Sequence, residues 1–146
     1  MRRPTSAVFL PAILALAFSA CDDDAVRPPS FPAVGAELGI PVKLHVGQVA
    51  SYDGGRLKVA FNSLLEDSRC PVEYVCPLAG EVRADLGALH EGVTPVMFEL
   101  GTSPPPSRVF EYAGFRIEYL NLEPYPSVTH PPQRGDYLLS IVVTAL

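Results

Sequence analysis

Three cysteines carry the most specific chemistry in this chain: Cys21, Cys70 and Cys76. Cys70 and Cys76 enclose five residues, and two thiols this close join when a protein reaches an oxidising compartment. Redox-active dithiols typically place two residues between their thiols at a helix start, which depresses one thiol pKa. The wider spacing predicts a structural bridge instead, contributing about 2 kcal/mol in the chain-entropy model and chiefly shaping a loop. Just upstream stand Asp67, Ser68 and Arg69. Asp and Ser hydrogen-bond backbone groups at turns, and an arginine can pair with the aspartate or with orphan carbonyls near the bridge. The residue types therefore favour loop architecture. They also make Asp67, Ser68 and Arg69 the candidate recognition loop, an acid and an arginine pinned by a covalent bridge on a rigid scaffold.

Other residue types offer less. His45, His90 and His130 are scattered, with no HExxH and no close set of His, Cys, Asp or Glu at metal-ligand spacing. No GxSxG elbow positions a serine, and neither a GxGxxG nor a GxxxxGK[ST] phosphate loop is present. The reading is thus no catalytic residue, no metal and no cofactor. Arg134-Gly135-Asp136 is a turn composition before a strand. Tyr112, Tyr119, Tyr125 and Tyr137 either pack a sheet face or form a partly exposed aromatic patch.

The chemistry of Cys21 depends on what precedes it. Met1-Arg2-Arg3 is a short positive start, and Ala7 to Ala20 is an apolar stretch interrupted by Pro11 and Ser19, the plan of a secretory signal. It is shorter than the roughly 18 to 20 residues of a lasting membrane span. Its close, Ala17-Phe18-Ser19-Ala20-Cys21, resembles the lipobox of bacterial lipoproteins, with Phe18 where Leu is usual. That resemblance implies cleavage before Cys21 and lipidation of its sulfur, with several acyl chains giving stable anchoring at about 0.8 kcal/mol per buried methylene. No other sequence reads as able to hold a membrane. Asp22 to Asp24 and the proline-bearing run Arg27 to Pro32 read as an extended tether. The expected organisation is a signal over 1–20, the lipidated cysteine and tether over 21–38, and one domain over 39–146.

Without residues 1–20 the chain keeps 9 basic against 16 acidic residues, a net charge of −7. No basic face interleaved with aromatics occurs, so nucleic acid and anionic lipid surfaces are poor partners. Strand patterns fill the remainder. Val42, Leu44 and Val46 alternate with polar residues, Asp53-Gly54-Gly55 marks a hairpin turn, and Leu57, Val59 and Phe61 alternate again. Further strands are read at 81–86, 96–100, 109–111, 115–119 and 137–144, the last apolar enough for a central position. Prolines at 104–106, 124 and 126 interrupt the pattern. About seven short strands without a helical period predict an all-β domain, a β-sandwich or small β-barrel.

The run Asp67-Ser68-Arg69-Cys70-Pro71, a second cysteine at Cys76, and Ala79-Gly80 before a strand resemble a motif of small uncharacterised exported bacterial lipoproteins. The similarity continues more weakly through Leu122 to Pro126 and Asp136-Tyr137-Leu138. Where that pattern tends to carry an aromatic after the second cysteine, often Trp, this chain has Pro77 and Leu78. The resemblance implies the domain plan and no reaction. The leading expectation is a lipid-anchored, non-enzymatic envelope module that binds another protein or an envelope polymer. The rivals are a hydrolase whose site is assembled from distant residues, and an inhibitor or assembly partner using the proline-rich loops 103–107 and 124–132.

Overall fold

The computed structural model describes residues 33–146; the signal, Cys21 and most of the tether lie outside the described residues. Nine strands follow one another: β1 (Val34–Gly35), β2 (Val42–His45), β3 (Val49–Tyr52), β4 (Leu57–Asp67), β5 (Val82–His90), β6 (Val96–Gly101), β7 (Val109–Tyr112), β8 (Phe115–Glu123) and β9 (Leu138–Ala145). They form two sheets, ordered β1-β3-β4-β5-β6 and β2-β9-β8-β7. The domain is a β-sandwich.

Alternation puts one side chain in two into the space between the sheets. Leu57, Val59 and Phe61 from β4, Val82, Ala84 and Leu86 from β5, Phe98 and Leu100 from β6, and Ile117, Tyr119, Leu139, Ile141 and Val143 from the second sheet are all buried there. The period slips once in β8, where a bulge lies between Tyr119 and Asn121. An extra residue in one strand shifts the inward parity, so Leu122 joins the core although Tyr119 also faces it.

Two strands escape the sequence reading, for different reasons. β1 is two residues long, too short to show a period, and it falls inside the expected tether. Val34 pairs in parallel with Ala50, and the Ala36 amide donates to the Ser51 carbonyl at 2.9 Å. The folded region therefore begins before residue 39. β3 corrects the hairpin: β4 pairs with Val49–Tyr52, whereas Val42–His45 pairs with β9 in the other sheet. Gly47, with φ of 87°, turns the chain from one sheet to the other, and its amide donates to Phe61. The apolar β9 is central, as its composition predicts, lying between β2 and β8.

This connectivity defines the two ends of the sandwich. Glu123 at the end of β8 pairs with Leu138, Leu138 pairs with His45, and the turn after His45 leads into β3 beside the start of β1. The loop after β4, the loop after β8 and the chain leading into Val34 thus share one end. The Asp53–Gly55 turn, the turns after His90 and Tyr112 and the C-terminus occupy the other.

Tyr52 is wholly buried with its hydroxyl unpaired among the described residues, and burial pushes its pKa up to about 12. Unfolded tyrosine releases its proton near 10, so between pH 10 and 12 the unfolded chain binds fewer protons and stability falls as pH rises. Denaturant midpoints measured over that range should fall less steeply in Tyr52→Phe, with Tyr119 and Tyr137 contributing the remainder through their own raised pKa values.

Candidate functional site

The loop from Arg69 to Glu81 begins in a buried ion pair. Arg69 Nε and Nη2 each donate to one oxygen of the Asp67 carboxylate, both at 2.7 Å. Nη1 donates to the Leu122 carbonyl at 2.6 Å and Nη2 to that of Pro124 at 2.9 Å. The guanidinium also lies 4.2 Å from the centre of the Tyr125 ring. The two charged side chains are 7% and 4% exposed. Burial works against the Arg69 charge, and the hydrogen bonds and charge of Asp67 outweigh it, so its pKa is raised. Tyr137 is raised first by burial and then by the nearby Asp67 charge.

This geometry revises the recognition-loop expectation. Asp67 and Arg69 face inward and are consumed by each other and by the end of β8, so they hold the loop and offer no free charge to a partner. Ser68 serves the frame as well. Its Oγ accepts from the Glu81 amide at 3.0 Å, and its own amide donates to the Glu81 carbonyl at 2.8 Å. These bonds close the root of the loop opposite the ion pair.

Cys70 and Cys76 lie at disulfide distance with Cα atoms 5.8 Å apart, as their spacing predicts. Gly80 closes the circuit: a Cβ there would run into the Ser68 carbonyl and the Arg69 amide, which gives Ala79-Gly80 a packing reason. A second tie joins the bridged loop to the loop after β8. The Val72 amide donates to the Pro126 carbonyl at 3.0 Å. Glu73 accepts from the Ser127 hydroxyl, the Val128 amide at 3.1 Å and the Thr129 hydroxyl at 2.9 Å. These donors, Ser127 first, bring the Glu73 pKa down to about 2.

The bridged loop displays mainly apolar side chains, and the loop after β8 adds Tyr125 and Val128 beside exposed Thr129, His130, Gln133 and Arg134. Val75 is 100% exposed and Leu78 82%, and Val72, Tyr74, Tyr125 and Val128 are also exposed. Between Cys70 and Gly80 the one charged residue is Glu73, and its carboxylate is turned onto residues 127–129. Hydropathy along the sequence does not reveal this surface, because Glu73, Pro77 and the cysteines separate its members. The tie between the loops creates it.

The other candidates are dispersed. His45 lies 3.2 Å from the Gly135 carbonyl, His90 stands beside Phe115 with ring centroids 5.7 Å apart, and His130 contacts Thr129. No group of three His, Cys, Asp or Glu able to hold a metal occurs among the described residues. Arg134–Asp136 forms a 3-10 turn in which the Asp136 carboxylate accepts from the Gln133 amide at 2.7 Å. The tyrosines divide: Tyr112 donates to the Thr94 carbonyl at the far end, whereas buried Tyr119, Tyr125 over the guanidinium, and Tyr137 gather near the Asp67–Arg69 pair. At the far end an open cleft of about 410 Å³ is lined by Gly54, Arg56, Lys58, His90 and Gly92, but Arg56 is already paired with Asp53 and Glu91. Compared with known proteins, the chain matches no family model, no curated protein and no solved structure.

Removing one member of a buried pair leaves the other uncompensated, which costs about 3–5 kcal/mol, while replacing both by apolar groups of similar size is often neutral. Urea denaturation should show Asp67→Ala losing stability in that range and Asp67→Leu with Arg69→Met recovering most of it. For Glu73 the depressed pKa means a stabilising contribution present above about 4.5 and lost as pH falls toward 2. Carboxyl chemical shifts followed by NMR should give a Glu73 midpoint near 2, moved upward in Ser127→Ala.

Proposed function

We propose that this protein is a lipid-anchored, non-enzymatic module of the cell envelope that acts by contact, through the apolar tip of the bridged loop. One observation carries the contact reading: exposed Val72, Tyr74, Val75 and Leu78 stand on a loop bridged by cysteines and bonded to a second loop. A monomer that merely needed to close β4 onto β5 has no use for such a display. Exposed apolar patches on rigid frames mark interaction sites, and ordering the loop in advance lowers the entropy lost on binding.

The anchoring reading is supported by the charged start, the apolar stretch and the Ala17 to Cys21 pattern. The disulfide spacing suits the oxidising compartment that such a signal leads to. An apolar partner in the envelope fits this surface better than a polyanion does, given the net charge of −7 after residue 20.

The test is intact mass and membrane fractionation of the native protein beside Cys21→Ser, each with a photo-reactive residue at Val75. The native chain should carry lipid mass and sediment with membranes, and the variant should lose both. Cross-links should form from position 75 and not from Val93 at the opposite end. An unlipidated, soluble native chain would refute the anchor, and equal cross-linking at both positions would refute the contact surface.

A further inference from the structure

We infer that the bridged loop is a second membrane contact, its apolar tip seated in the interfacial layer of the same bilayer that holds the lipid on Cys21. This rests on the anchored reading above and names the partner of the loop.

The first support is where the chain leaves the fold. β1 runs parallel to β3, so the chain preceding Val34 departs at the start of β3. That is the end at which β2 finishes, β8 finishes and Arg69 reaches Leu122 and Pro124. β4, from which the loop springs, lies two strand positions from β1, about 10 Å at ordinary sheet spacing. Twelve residue steps separate Cys21 from Ala33, at most about 40 Å of extended chain. An anchor at Cys21 can therefore lie level with the loop, and it pulls on the end of the sandwich that carries it.

The second support is the chemistry of the tip. Two aliphatic side chains are almost fully in solvent, Val75 at 100% and Leu78 at 82%. Tyr74, next to Val75 in the chain, and Tyr125 of the tied loop are exposed as well, and tyrosine is enriched at membrane interfaces because its ring is apolar and its hydroxyl stays wet. Lys and Arg are absent from residues 70–80, so nothing there selects an anionic surface. The single carboxylate, Glu73, already accepts three hydrogen bonds from residues 127–129, which lower the cost of bringing its charge toward the acyl boundary and keep that charge on the water side of the tip. The bridge and the Gly80 packing fix the loop's shape, and seating it in the hydrated interfacial layer leaves water for its backbone groups, which the acyl core would not.

The opposite end is mixed: its turns carry Asp53, Arg56 and Glu91 beside Leu89 and Val93, which are 44% and 41% exposed, short of the exposure of Val75 and Leu78.

The chain contains no tryptophan, so single substitutions make clean depth probes. Full-length chains with Val75→Trp, Leu78→Trp or Val93→Trp would be expressed, purified with their native lipid and reconstituted in phosphatidylcholine vesicles with brominated acyl chains. Val75 and Leu78 are exposed, so thermal unfolding should match the parent. The expected result is blue-shifted emission and several-fold stronger bromine quenching at 75 and 78 than at 93, at a depth of about 5–10 Å. Lipidated chains that float with vesicles while 75 and 78 remain unquenched would overturn the inference and leave the anchor standing. Equal quenching at all three positions would overturn it as well. Chains without lipid mass that fail to float would remove the anchored reading and this inference with it. A blue shift at 75 in native envelopes without bromine quenching in vesicles would assign the tip to a protein partner and also overturn it.

Discussion

A buried guanidinium sets the geometry of the end that carries the bridged loop. Arg69 leaves β4 and reaches the end of β8 in the other sheet, and four of its N–H groups are spent on Asp67, Leu122 and Pro124. Ion pairs withdrawn from water repay their desolvation only when the geometry is good and the remaining donors are satisfied. Both conditions hold here. Only arginine has a planar fork long enough to serve a carboxylate side-on and two carbonyls at once; a lysine would be a point charge with one reach. The pair is best understood as a specificity device: it determines where the bridged loop stands relative to the second sheet, and Tyr125 and the 124–130 segment follow from it.

A second constraint is the management of sheet edges. Open edges invite pairing with other chains. β1 covers β3 with only two residues, β2 and β7 are four residues each, and β6 gives way after Gly101 to Pro104-Pro105-Pro106. Gly101 belongs to this closure, since a Cβ there would strike the Val82 carbonyl and the Pro106 ring. By crossing from the first sheet to the second between Gly35 and Val42, the leading segment also ties the two layers together, with the Gly39 amide donating to Val143 at 2.7 Å.

The fold was legible where a single periodicity ran long enough. The first half of β4 and β5 show their inward positions directly, whereas the second half of β4 slips register between Phe61 and Ser63 and between Leu64 and Glu66; β9 was legible as a continuous apolar run, and the Ala113-Gly114 turn from its glycine, which takes φ of 82° beside Ala113 at 52°. β1 was not, because two residues carry no period, and β3 was obscured because Gly47 redirects the chain only two residues before it. The cysteine pairing followed from spacing. The roles of Asp67 and Arg69 could be stated as alternatives but not decided, since their partners at Leu122 and Pro124 lie more than fifty residues away. The apolar tip was least visible of all. Val72, Tyr74, Val75 and Leu78 look ordinary in a row with Glu73 and Pro77 between them, and only the ties to 126–129 show that the carboxylate of the polar member is engaged by a neighbouring loop.

The residues that hold the bridged loop and those that it displays are separate sets. Asp67, Ser68, Arg69, the two cysteines, Glu73 and Gly80 are committed to hydrogen bonds, a covalent link or a close backbone approach, whereas Val72 and Tyr74 contribute only backbone groups to the loop's ties and the side chains of Val72, Tyr74, Val75 and Leu78 contribute none. Mutational drift is therefore partitioned: changes at the frame are filtered by folding, while changes at the tip escape that filter. Such a scaffold can exchange its surface chemistry in single steps without passing through unfolded intermediates in sequence space, and its tip should diversify faster than the strands that carry it.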